Sequence, residues 1–329
     1  MSTHIKASFL SLVLAVLLAS SSNRAATAQL VDAPPDAVIR PGILSDWLSH
    51  QTGGSPGGAV PMDRSTIDPS LLGDAPGDWT WQCLPAGLIW RPYLAGGREP
   101  RLAAQFVHER NHGWLADGAF GAQAGLVRYG TEDVFQPEGW QLDVEGAAFP
   151  RITLDDSLDL ISADFRYGVP LTFRQGMFEG KVAFFHISSH LADEYMASHP
   201  GTGPNAYSIF GLNWGVGLRP TDDLRLYAEA AYAFYTGGPS KPWQFQFGFE
   251  CSPGRATGNH GAPFFAGNAR LREEVDYGGN FTIQTGWAWR GTSGRLLRVG
   301  LQYLNGKSEQ AQFLNRFEEQ VGVGVWYDL

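Results

Sequence analysis

Residues 181–194 read Lys-Val-Ala-Phe-Phe-His-Ile-Ser-Ser-His-Leu-Ala-Asp-Glu and hold the constellation in this chain best suited to nucleophilic chemistry. In an extended segment successive side chains point to opposite faces, so His186, Ser188 and His190 share one face. A His two residues from a Ser on one strand lies near enough to take the hydroxyl proton, the pairing that acyl transfer requires. Asn213, on the following strand, is the candidate to orient the His186 ring, because its parity could meet His186 across a simple hairpin register.

The same alternation argues for a different role. Ala183, Phe185 and Ile187 make the more apolar face, so His186, Ser188 and His190 are expected to point away from lipid, into a lumen. Asn213 likewise opposes Phe210, Leu212 and Trp214. On this reading the three residues form a hydrogen-bonded polar cluster, with Asp193 and Glu194 following in a loop. The pairs Asp193-Glu194 and Asp155-Asp156, and Glu273-Glu274 with Asp276, offer the oxygen ligands that Ca²⁺ takes, although solvated loop charge explains them more simply. No cofactor is expected otherwise. Phosphate-cradling glycine loops, zinc-type helix motifs, Cys-x-x-Cys pairs and glycine-flanked nucleophile serines are absent from the sequence.

The elements that must carry these residues are strands. Trp243–Cys251 reads Trp-Gln-Phe-Gln-Phe-Gly-Phe-Glu-Cys, with aromatic residues and Cys251 at odd positions and Gln, Gly or Glu between them. Only a β-strand sorts such a sequence into one apolar and one polar surface. The pattern recurs at 102–109, 118–129, 140–148, 158–173, 181–190, 207–218, 224–235, 264–272, 280–290, 296–304 and 320–329. That is about twelve strands, an even number that returns both chain ends to one side of a membrane. The longest connections, 191–206 and 305–319, fall on one side, and the short turns 174–177, 220–223 and 291–294 on the other. Asp143, Glu145, Asp164, Arg166, Arg225, Glu229, Gln244, Gln246, Glu250 and Arg298 fall on the expected inner face, where opposite charges pair across strands or line a pore.

The rest of the sequence bounds location. The chain has 329 residues and a formal net charge of -9, which argues against nucleic acid as a partner. Its continuous apolar run, residues 9–19, is too short for a spanning helix of about 20 residues. Lys6 before that run and Ala26-Thr27-Ala28 after it predict a signal peptide over 1–28. Residues 29–78, rich in Pro, Gly, Asp and Ser, read as a linker, with one short helix around 43–50. Residues 79–100 are aromatic-rich and are expected to pack on the periplasmic mouth or into the lumen, ahead of a barrel over 101–329. The fold class expected is all-β: a closed antiparallel transmembrane barrel behind a mostly irregular N-terminal segment. Cys83 and Cys251 both fall at the periplasmic rim, in a compartment that permits disulfides, so pairing and two separate thiols both stand open.

Three resemblances add to this reading. The final strand, with Val321, Val323, Val325, Tyr327 and Leu329 on one face, resembles the terminal signal read by barrel-assembly machinery, although it ends in Leu rather than an aromatic residue. The His186-x-Ser188 spacing resembles the sites of two outer-membrane enzyme types, phospholipase A and lipid A 3-O-deacylase. That likeness implies Ser188 as nucleophile, His186 as base and Asn213 as orienting residue, in a site facing lipid. More broadly, the chain is similar to the bacterial outer-membrane proteins grouped as domain of unknown function 1207. The residues carrying this are 84–96, Glu99-Pro100-Arg101, 188–195 and 224–229. This wider likeness implies outer-membrane location and barrel fold and transfers no catalytic residue. Two functions therefore stand open: a narrow pore or envelope component, and an outer-membrane lipid hydrolase.

Overall fold

The computed structural model describes residues 79–154 and 158–329; the expectations for 1–28, 29–78 and Asp155-Asp156 lie outside the described residues. Thirteen strands follow in order: β1 (Thr80–Cys83), β2 (Leu102–Glu109), β3 (Gly113–Gly130), β4 (Gly139–Thr153), β5 (Leu160–Gln175), β6 (Phe178–Leu191), β7 (Ser208–Leu218), β8 (Leu224–Gly237), β9 (Trp243–Cys251), β10 (Ala262–Arg272), β11 (Gly279–Arg290), β12 (Leu296–Lys307) and β13 (Phe317–Asp328). A short helix, α1 (Asp193–Ser198), sits between β6 and β7.

From β2 onward each strand pairs antiparallel with the next, and β13 pairs back with β2. The result is a closed ring of twelve strands with β1 as an extra piece. Closure removes the unpaired backbone edge that hydrocarbon would not tolerate. Connections 192–207, 238–242, 273–278 and 308–316 share one rim, here the loop rim; 131–138, 176–177, 219–223, 252–261 and 291–295 share the other, the turn rim.

The alternation read from the sequence becomes two surfaces. Val169, Leu171, Val182, Leu212, Trp214, Phe247, Val299, Leu301, Val321 and Val323 are exposed on the outside. Aromatic residues mark both borders of this belt: Trp114, Trp243 and Phe317 toward the loop rim, Tyr129, Trp140 and Trp287 toward the turn rim. This is the profile of a barrel wall that meets lipid. Inside, Asp143, Glu145, Asp164, Arg225, Gln244, Glu250 and Arg298 are buried, as their parity predicted.

β1 and β2 are two halves of one edge. Both pair with β3, Cys83 opposite Val127 and Leu102 opposite Phe120. Between them residues 84–101 leave the wall and enter the lumen, so that Trp90 and Tyr93 are 2% and 1% exposed.

Cys83 and Cys251 are free and exposed. Cys83 lies beside β3, while Cys251 lies between Leu224 of β8 and Phe265 of β10, so of the two possibilities left open the structure gives two separate thiols.

Candidate functional site

The first candidate is the row on β6, and its orientation is the reverse of the sequence expectation. Glu179, Lys181, Ala183, Phe185 and Ile187 are buried, whereas Val182 and His190 are exposed and His186 and Ser188 half-buried on that same outer face. The charged residues at the start of the strand set the phase. Glu179 receives Arg219 at 2.6 Å and Arg225 at 2.5 Å, and Lys181 reaches Glu229 at 2.5 Å, pairings available only inside the ring. Once Glu179 and Lys181 point inward, period-two alternation carries Phe185 and Ile187 inward too. They are accommodated because the loop-rim half of the lumen holds an apolar cluster. Phe185 and Ile187 pack there with Ile209, Val275, Ala311 and Leu314.

Outside, the His186 ring lies between Phe210, with centroids 4.1 Å apart, and Tyr167 at 4.9 Å. Its Nδ1 is 2.9 Å from the Ile209 carbonyl. A carbonyl only accepts, so Nδ1 carries the proton and donates it, leaving Nε2 as the basic nitrogen. Ser188 is flanked in register by Phe165 and Ser208, and the His190 ring lies edge-on to Phe165 at 5.7 Å.

Asn213 does not join them. The ladder sets Phe210 opposite His186 and Asn213 opposite Ala183, on the inner face. Asn213 is 1% exposed and donates through Nδ2 to Glu229 at 3.0 Å. The proposed His186–Asn213 contact is therefore corrected, and the Ile209 carbonyl occupies the orienting position. Asp193 and Glu194 open α1, exposed and apart from the row. Neither neighbour of Ser188 in register offers a carboxylate, and among the described residues no group of three or more His, Cys, Asp or Glu is placed to hold a metal.

The second candidate is the lumen, which residues 84–101 fill. The Tyr93 ring stacks on Tyr227 at 3.8 Å, and its hydroxyl donates to Glu229 at 2.9 Å. The Leu94 amide donates to Glu250 at 2.5 Å, and Arg128 donates to the Ala86 and Gly87 carbonyls at 2.9 Å each. Arg98 pairs with Asp164 at 2.7 Å and Arg101 with Asp328 at 3.2 Å. These partners stand on strands around the whole ring. Gly215 faces the segment because a Cβ there would come within 2.7 Å of the Trp90 ring, and one at Gly217 would come within 2.6 Å of the Glu179 side chain. The wall adds its own pairs, Arg151 with Asp117 and Glu318 and Arg166 with Glu145, all at 2.7 Å. An internal void beside Arg98, Asn213 and Gln244 measures only about 20 Å³, room for a water or two. The aromatic density of 79–100 was the sequence signal for this plug; its anchoring to every side of the ring was not visible, because each contact spans the ring.

A family model described as "Protein of unknown function (DUF1207)" matches residues 19–329. No curated protein matches the chain. Among solved structures, the KdgM porin is similar at 10% identity and a TM-score of 0.39, over 69% of this chain and 99% of that one. Outer membrane phospholipase A from Escherichia coli is similar at 12% identity and a TM-score of 0.48, over 70% of this chain and 94% of that one. The Salmonella typhi phospholipase is similar at 11% identity and a TM-score of 0.46, over 70% and 91%. These are likenesses of barrel architecture, and they give no residue of this chain a role.

Proposed function

The chain belongs to the DUF1207 family, and from that premise we propose that it is a closed β-barrel component of the bacterial outer membrane rather than an open diffusion pore. The observation that carries this is the plug: residues 84–101 stand in the lumen and are held by charged partners on all sides. The exposed apolar belt, with its aromatic borders, supports lipid as the surrounding partner. The loop rim then faces outward, both chain ends lie in the periplasm, and barrel-assembly machinery engages β13 through the row that includes Val321 and Val323. Planar-bilayer recording of the refolded protein tests the closure. Silent membranes are expected, whereas steady stepwise conductance would overturn it.

A second reading, a lipid acyl hydrolase, is favoured by one observation: His186 and Ser188 face the lipid side. In it, Ser188 Oγ attacks the acyl carbonyl while its proton passes to His186 Nε2. The alcohol departs with that proton, and water then releases the fatty acid from the acyl-serine. The Ile209 carbonyl holds the ring in the required tautomer. Phospholipid hydrolysis by the refolded protein, abolished in Ser188→Ala, is expected on this reading. A wild-type protein that releases no fatty acid ends it and leaves the first reading intact.

A further inference from the structure

At the loop rim a cavity of about 430 Å³ opens beneath α1, between β3, β4, β5 and the start of β13. Its size is that of a small-ligand site. Its floor is apolar: Leu115 and Ile161 are buried, and Leu160 and Tyr195 complete it. Its charged groups divide sharply. Glu318 is taken up by Arg151 at 2.7 Å and Gln320 at 2.7 Å. Arg151 is paired in turn with Asp117 through two further bonds of 2.7 Å. Glu109, behind His112, accepts from that imidazole and from the Asn111 amide. Asp159 is engaged as well.

Arg316 is different. Its guanidinium lies 4.2 Å over the Phe313 ring and makes no ion pair among the described residues. The Phe313 ring meets Tyr195 edge-on at 5.5 Å, and Tyr195 stacks on His199 at 4.1 Å. This ladder of rings holds Arg316 at the cavity wall with no acceptor on its N–H fork among the described residues, the arrangement that takes a carboxylate bidentately. Each described carboxylate lining the cavity already has a partner, which disfavours a cationic ligand. A wholly polar ligand would leave the apolar floor unused.

We propose that this cavity binds an amphiphilic monoanion, a carboxylate on an aliphatic body, with the carboxylate on Arg316 and the body on Leu115, Leu160, Ile161 and Tyr195. Calorimetric titration of the full-length protein in nanodiscs tests it, with octanoate, 1-octanol and acetate as probes and protein-free nanodiscs as the partitioning blank. Saturable octanoate binding is expected, at least tenfold tighter than either other probe, and weakened at least tenfold by Arg316→Ala. Because Arg316 makes no ion pair among the described residues, that variant should keep the wild-type heat-modifiable mobility. Octanoate heat indistinguishable from the blank, octanol or acetate binding equal to octanoate, or an Arg316→Ala variant that binds as tightly would each overturn the proposal.

Discussion

Glu309 illustrates how much a single side chain holds. It lies in the 308–316 connection, meets Arg270 at 2.8 Å and Arg98 at 3.7 Å, and accepts from Asn280 at 2.8 Å. Burial alone would raise its carboxyl, but Arg270, Arg98 and Arg272 outweigh that and hold it at about 2. The folded value lies below the unfolded one, so this carboxylate's stabilisation is complete above the ordinary carboxylate range and fades as pH falls toward 2. Glu309→Gln should leave Arg270 without its carboxylate partner, while Arg98 keeps Asp164, and destabilise the barrel at pH 7 by about 3 kcal/mol. Thermal melts from pH 7 to 2 check this: the gap between wild type and variant should shrink through the acid range. A constant gap would show that the charge of Glu309 is not what matters.

At the scale of strands, the sequence was legible wherever alternation was long and clean. The twelve ring strands fall where period two and turn residues put them, several extending further at their ends. Backbone pairing reached those ends even where the pattern faded. The facing of β6 was misread because weight went to Ala183, Phe185 and Ile187 instead of Glu179 and Lys181, which share their parity. Two ionised groups cost far more in lipid than apolar residues cost inside a packed lumen. The expected contact between His186 and Asn213 failed with that facing, because His186 looks outward opposite Phe210 while Asn213 looks inward opposite Ala183. The corrected facing has a direct test. In a background with Cys83→Ala and Cys251→Ala, a fluorophore on cysteine at 186 or 188 should be quenched by brominated lipid, and one at 187 should not. The opposite pattern would return the row to the lumen.

For the whole molecule, closure and the wall are separable. The ring is completed by β2 pairing with β13 and β3, and β1 adds only a short length to the edge of β3. Cys83 and Leu102 stand opposite Val127 and Phe120, a span of roughly 23 Å along β3 at about 3.3 Å per residue. An extended linker of about seven residues would bridge it in place of 84–101. Removing that segment takes away Tyr93, Leu94, Arg98 and Arg101 together and leaves every ladder of the ring intact. The shortened protein should therefore still fold, with the heat-modifiable mobility of a closed barrel, but should conduct ions across planar bilayers where the parent is silent. Its wall would be less stable, because Glu250 and Asp328 each lose a partner that now offsets their burial. A shortened barrel that folds and stays silent would move the seal to the 308–316 connection and the wall's own ion pairs. A parent that already conducts would mean that the packed lumen opens in the membrane.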